Sequence, residues 1–138
     1  MCANELSKMN KLGRIIYFIM LSLFFISIII QFFLAGLAVF VNPENWMKHI
    51  MFVHLFGFNI PLFLLLFAYV GKFPKRAYWS IFGMIIGVFS MYYTANAASI
   101  HSWIGALHPV IAVLLFIITY QELRRVMKIL FIHKKGEK

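Results

Sequence analysis

The sequence predicts an all-α membrane protein whose four transmembrane helices form an up-down-up-down bundle. The 138-residue chain is 63% hydrophobic and only 12% charged, with a mean hydropathy of +0.89, and this composition excludes a water-soluble domain of its size. It contains four continuous apolar stretches, each reaching the roughly 20 residues that cross a hydrocarbon core. None of them alternates polar and apolar residues as the strands of a membrane barrel do.

The four stretches predict one domain, 1–138, with spans at about residues 14–41, 46–70, 77–97 and 103–127. The connections VNPENW, GKFPKR and ANAASIHS are short and contain turn residues, which makes consecutive helices antiparallel. The first stretch is far longer than the roughly 7–15 apolar residues of a signal peptide, so we expect it to remain in the protein. The single cysteine, Cys2, precedes this stretch and cannot form an internal disulfide.

The basic residues predict the orientation of the helices. Twelve of the thirteen fall on one side of the predicted membrane, and Lys48 alone falls on the other. The positive-inside rule then predicts a multi-pass protein of the cell membrane with both termini in the cytoplasm. This topology accounts for the net charge of +9, so we expect the lipid bilayer and not nucleic acid as the partner. The twelve residues are Lys8, Lys11, Arg14, Lys72, Lys75, Arg76, Arg124, Arg125, Lys128, Lys134, Lys135 and Lys138.

The polar residues within the spans gather at one predicted depth. His54 and His108 both lie in the outer half of the membrane, where Gln31, Tyr92 and Asn96 are also expected, because each residue advances about 1.5 Å along a helix. The inner half is predicted to contain almost only Leu, Ile, Phe and Val. Polar groups inside spans usually face the bundle interior and mark functional sites.

Helix phase predicts which histidines face each other. His49 and His54 differ by about 140° around their helix at 100° per residue, so they diverge. We therefore expect His54 and His108 to pair across the bundle. Two neutral imidazoles are the axial ligands of a b-type haem, and bundle interiors hold such cofactors. The predicted cofactor-binding residues are His54, His108, Gly57, Gly105, Gln31, His49 and His101, with His54 and His108 as metal ligands and His49 and His101 near the propionates.

Several alternatives remain open on the residues alone. His49, His54, His101 and His108 could instead bind zinc or copper without haem. Alternatively, His54, His108 and Gln31 could hydrogen-bond one another or a backbone carbonyl between helices. Gly83 and Gly87 form a GxxxG motif, which is typical of close helix packing. No catalytic residue is identified, so the sequence does not decide whether the chain is an enzyme.

The stretches QFFLAGLAVF, HLFGF and GALHPVIAVLLF resemble a family of small four-span bacterial membrane proteins of unassigned function. More distantly, paired histidines on a four-helix membrane bundle resemble the cytochrome b superfamily, and this resemblance implies haem ligands at His54 and His108. Two-haem relatives place histidine pairs near both membrane faces, whereas this chain has none in its predicted inner half. The resemblance therefore implies one haem.

The expected function is a haem-binding membrane protein that acts in electron transfer or oxidant handling near the outer face, with a quinone or another redox partner. The alternative is a non-enzymatic membrane protein that binds a metal or small molecule, or that packs as a subunit of a larger complex. Association with further copies of the same chain is compatible with both.

Overall fold

The computed structural model describes residues 8–132, and this part of the chain is helical without any β-strand. The predicted all-α class is therefore confirmed for the described residues. The elements are α1 (Lys8–Phe40), α2 (Asn45–Phe56), α3 (Asn59–Val70), α4 (Lys75–Ala97), α5 (Ser102–Gly105), α6 (Leu107–Met127) and a final π-helical turn (Lys128–Ile132). The predictions for Cys2 and for the basic residues Lys134, Lys135 and Lys138 lie outside the described residues.

Within residues 8–132, three helical stretches are long and apolar enough to cross a membrane, and they indicate a membrane protein. They are Lys8–Phe40, Asn45–Val70 and Ser102–Phe131. The fourth long helix, α4, has 23 residues but contains serines, tyrosines and other polar residues that lower its hydropathy. The structure thus has three clear candidate spans and a fourth helix of comparable length beside them.

The four long stretches pack in a ring around one apolar core. α1 packs on α2 and α3 on one side and on α6 on the other, and α4 packs on α3 and α6. The second stretch and α6 therefore lie on a diagonal of the bundle. The fully buried side chains at the centre include Leu21, Phe24, Leu64, Ile81 and Met84.

One end of the bundle carries the start of α1, the α3–α4 loop and the end of α6, and we call it the basic end. There Arg14 Nε donates to the carbonyl oxygen of Gly71 at 2.9 Å. The Tyr17 and Phe73 rings lie 4.3 Å apart between centroids. Gly13 lets α1 approach closely, since a Cβ at this position would stand 2.8 Å from the Gly71 nitrogen. The opposite end, with the α1–α2 loop and the α4–α6 connection, is the histidine end.

Two interruptions divide the predicted spans where prolines occur. α2 ends before Gly57 and α3 begins at Asn59, and Pro61 has no N–H to donate to the Gly57 carbonyl. In the same way α5 ends at Gly105, four residues before Pro109. The second and fourth stretches are therefore broken helices, and both breaks lie towards the histidine end.

The GxxxG motif of α4 faces α6. A Cβ at Gly83 would lie 3.6 Å from Ile118 Cδ1, and a Cβ at Gly87 would lie 3.1 Å from Leu115 Cδ1. The absence of side chains lets the two helices approach, which is the packing role typical of this motif.

Candidate functional site

A cavity of about 440 Å³ lies inside the histidine end of the bundle. The break at Gly57 divides the span Asn45–Val70 into two parts that pack differently. α3 packs on both α1 and α4, whereas α2 packs on α1 and leaves a cavity beside α4. Helices α1, α2, α4 and α6 all contribute to the wall, which is mostly apolar. The lining residues are Ile28, Gln31, Phe32, Ala35, His49, Ile50, Val53, His54, Phe56, Val88, Met91, Tyr92, Ala95, Asn96, His108, Pro109, Ala112 and Leu115.

The cavity is open to the surroundings of the protein. His54, Ala95 and Asn96 line it and are exposed at the surface, as are Phe32 and Pro109 on another part of the wall. A ligand could therefore enter from the side of the bundle without unfolding it.

Gln31 and His49 form one polar part of the wall. The Gln31 amide donates from Nε2 to the backbone carbonyl of His49 at 3.0 Å. This contact fixes the orientation of the amide, because a carbonyl oxygen only accepts. The other amide atom, Gln31 Oε1, and the ring nitrogen His49 Nδ1 are both buried without a hydrogen-bond partner in the described structure. Buried polar atoms of this kind are uncommon and costly in proteins.

His108 is held in one tautomer by α4. Its Nδ1 lies 3.1 Å from the Met91 carbonyl oxygen and 3.2 Å from Thr94 Oγ1. The carbonyl only accepts, and the Thr94 hydroxyl already donates to Ser90 at 2.9 Å, so Nδ1 carries the proton. In the neutral ring, Nε2 therefore keeps its lone pair. A hydrogen bond donated by one ring nitrogen in this way is also what orients histidines that bind a metal through the other nitrogen.

His54 contacts the opposite wall of the cavity from α2. Its Nδ1 lies 3.0 Å from the Tyr92 hydroxyl, and the two rings are 5.4 Å apart between centroids. Tyr92 also stacks on Phe58, at 5.4 Å between centroids. His54 is therefore tied to α4 by a hydrogen bond at the exposed side of the cavity.

The ring contact of His108 is with His49 and not with His54. The centroids of the His49 and His108 rings are 6.4 Å apart, across the diagonal of the bundle, with their planes at 56°. Trp46 packs its edge against His49 at 5.5 Å. His49 and His54 both line the cavity despite their divergence in phase, because the wall curves around more than one face of α2.

Three of the seven predicted site residues lie outside the cavity wall. His101 is exposed at the start of α5, where its backbone N–H donates to Ala97 at 2.9 Å. Gly105 faces Ala98, and a Cβ there would stand 3.0 Å from that side chain. Gly57 is buried at the helix break, in contact with Val53 and Val88. The structure brings together Gln31, His49, His54 and His108, and adds Tyr92 and Asn96 to them.

The half at the basic end, which was expected to be almost purely apolar, contains a buried charged side chain. Glu122 on α6 is 2% exposed, and its carboxylate accepts from Arg125 Nη1 at 3.2 Å. The buried Tyr17 hydroxyl lies 3.4 Å from the same carboxylate, and Arg125 also donates to Ser80 at 3.3 Å. From the sequence, the charged residues at this end of α6 were interpreted only as determinants of membrane orientation. The spacing of Glu122 and Arg125 by three residues was the signal that a charge pair occupies one helix face.

No group of three or more His, Cys, Asp or Glu side chains that could hold a metal ion is found within residues 8–132. A zinc ion bound only by protein needs three or four such ligands. The described residues do not provide them, whereas a haem brings four nitrogen donors of its own and needs two axial ligands at most.

Comparison with known proteins leaves the function open. No curated protein and no solved structure matches the chain, and nothing supports the distant resemblance to the cytochrome b superfamily. Residues 31–98 match a family described as "Family of unknown function (DUF6220)", over slightly less than half of the chain. The matched segment contains Gln31, His49, His54 and Tyr92 and ends before His108. This part of the chain is thus similar to a family to which no function has been assigned.

Proposed function

We propose that the chain crosses the cell membrane four times, and that α4 is a membrane span in addition to the three candidate spans described above. In this arrangement the basic end lies in the cytoplasm. The packing of α4 between α3 and α6 supports this arrangement. The described basic residues Arg14, Lys72 and Arg124 belong to the basic end, as the positive-inside rule requires of a cytoplasmic face. In this orientation the cavity opens in the outer half of the membrane.

We propose that the cavity binds a small, largely apolar molecule that carries an oxygen able to form hydrogen bonds, and that a lipid-soluble quinone or quinol is the best match. The observation that carries this proposal is the pair of unpartnered buried atoms, Gln31 Oε1 and His49 Nδ1, in the wall of an apolar cavity. Its volume falls within the roughly 300–1,000 Å³ of small-molecule sites.

The chemistry of the wall fits both forms of such a headgroup. Gln31 Oε1 only accepts, so it selects a hydroxyl donor, as a quinol provides. His49 Nδ1 donates or accepts according to its tautomer, so it can also bind a quinone carbonyl. The aromatic and aliphatic residues of the wall, including Phe32 and Leu115, would contact the ring and the start of its tail.

Quenching of Trp46 fluorescence by decylubiquinone tests this proposal. Trp46 contacts His49 at the cavity, whereas Trp79 and Trp103 are 72% and 67% exposed and can be replaced by Phe without opening the core. In the variant Trp79→Phe/Trp103→Phe, Trp46 is the single remaining tryptophan. We expect decylubiquinone to quench its fluorescence in a saturable manner. Ala112 lines the cavity, so Ala112→Phe should fill it and weaken binding at least tenfold.

The matched control places a phenylalanine on the other face of the same helix. Val110 is 56% exposed and does not line the cavity, so Val110→Phe should leave the quenching curve unchanged. Quenching that rises linearly without saturation, or that Ala112→Phe does not weaken, would show that decylubiquinone partitions into the detergent and does not occupy the cavity.

A b-type haem held by His108 and His49 is the second candidate, and the ring geometry favours it. The His49 and His108 rings face the same cavity with their centroids 6.4 Å apart, so these two residues would hold the haem. The His108 tautomer leaves Nε2 available as one ligand. A haem would supply one-electron redox chemistry, while His49 and His108 would hold it in the cavity.

Absorption spectra of the detergent-purified protein, oxidised and then reduced with dithionite, test for haem. If haem is bound by these ligands, the Soret band should sharpen on reduction and should disappear in His108→Ala and in His49→Ala. His101→Ala serves as the control, because His101 lies outside the cavity. A featureless spectrum after expression with added haem would rule out this candidate and leave quinone binding unaffected.

A further inference from the structure

A second pocket, of about 250 Å³, lies at the basic end and belongs to no site described so far. It is lined by Gln121, Arg124, Arg125 and Lys128. These residues stand at positions i, i+3, i+4 and i+7, so they share one stripe of α6 that continues into the π-helical turn. All four side chains are hydrogen-bond donors, and three of them are cations.

Two of these side chains are held in place by neighbours. Arg125 uses Nη1 to donate both to Glu122 at 3.2 Å and to Ser80 at 3.3 Å, which leaves other guanidinium N–H groups for a ligand. The Arg124 guanidinium lies over the Tyr120 ring, 5.8 Å from its centroid. These contacts limit the movement of both guanidinium groups, which reduces the entropy that a ligand would have to overcome.

The charge of the pocket defines its ligand. Glu122 is the acidic partner of Arg125, so it offsets one of the three positive charges and leaves a surplus of about two. A phosphate group carries one to two negative charges and several acceptor oxygens, and guanidinium groups bind it in a bidentate manner. In the membrane orientation proposed above, the pocket lies where the apolar part of α6 ends, at the depth of lipid headgroups.

We infer that this pocket binds the phosphate of an anionic headgroup or of a small phosphorylated compound. This inference does not rest on the ligand proposed for the cavity, which lies at the other end of the bundle. Basic pockets on the cytoplasmic side of membrane proteins recognise anionic lipid headgroups in this manner.

Thermal unfolding of the purified protein in dodecyl maltoside tests the inference. The additives are dioleoylphosphatidylglycerol, dioleoylphosphatidylcholine and, separately, sodium phosphate against sodium chloride at equal ionic strength. We expect the anionic lipid or the phosphate to raise the Tm, and neutral dioleoylphosphatidylcholine to have little effect. In Arg124→Gln/Lys128→Gln the half-saturating concentration should rise at least tenfold. Both replaced residues are exposed, so this variant should fold.

The control removes the same charge elsewhere at the basic end. Lys72→Gln/Lys75→Gln should keep the response of the wild-type protein, because neither residue lines the pocket. A response to phosphatidylglycerol alone identifies a lipid as the source of the phosphate, and a response to sodium phosphate identifies a soluble compound. A wild-type protein that responds to neither, or a response lost equally in the control, would overturn the inference.

Discussion

Replacing Arg125 by Met is expected to destabilise the protein by about 3 kcal/mol, since removing one partner leaves the other charge buried without compensation. The Glu122 side chain is only 3% exposed, and Arg125 is the one residue with which it forms an ion pair in the described structure. A third of the Arg125 side chain is exposed, so we expect the lower end of the range for buried pairs. Chemical unfolding in an uncharged detergent would measure this loss.

Two further variants separate the buried pair from general effects of charge. Arg124→Met removes a neighbouring, exposed guanidinium and should change stability by less than about 0.5 kcal/mol. Glu122→Leu combined with Arg125→Met should recover most of the stability, because an apolar pair of similar size needs no compensation. If Arg125→Met were as stable as Arg124→Met, the ion pair with Arg125 would not be needed to stabilise the buried Glu122 side chain.

Replacing Gln31 by Met should change stability and ligand binding in opposite directions. The ligand-free protein should gain up to about 1 kcal/mol, because the variant removes a buried acceptor that has no partner, although it also loses the bond to the His49 carbonyl. Binding of decylubiquinol should weaken at least tenfold, because the acceptor proposed for its hydroxyl is gone. Chemical unfolding and Trp46 quenching would measure the two effects on the same sample.

The control for Gln31→Met is a glutamine that is exposed and distant from the cavity. Gln121→Met should leave both the stability of the ligand-free protein and decylubiquinol binding nearly unchanged. A Gln31→Met protein that loses stability and keeps its affinity would assign Gln31 a purely structural role. Polar residues that lower stability without a ligand are typical of binding sites, where local rules are broken for function.

The helices themselves could be predicted from the sequence with little loss. The predicted segments coincide with the long helical stretches of the structure, although the second and fourth are each broken once. The agreement arises because the apolar stretches are long and their ends are marked by prolines, asparagines and charges. α1 begins earlier than predicted, at Lys8, since lysines are good helix formers even before the apolar residues begin. The two breaks lie near Gly57 and Gly105, four residues before Pro61 and Pro109, which have no N–H to donate to these carbonyls.

The pairing of side chains was harder to predict than the helices. Helix phase favoured His54 opposite His108, but a phase calculation assumes a straight helix and a flat facing wall. The break at Gly57 and the curved cavity place His49 beside His108 and tie His54 to Tyr92. Glu122 was overlooked for a related reason: its burial depends on Tyr17, which is 105 residues away in sequence.

The amino-acid sequence by itself determined the class of protein, the helical segments and the set of polar residues near one end, because hydropathy, composition and helix breakers act over short distances along the chain. Only the tertiary structure decided that α2 leaves a cavity beside α4, which histidine faces His108, and that Glu122 is buried. These features depend on how four helices pack against one another, and packing joins residues that no local pattern connects.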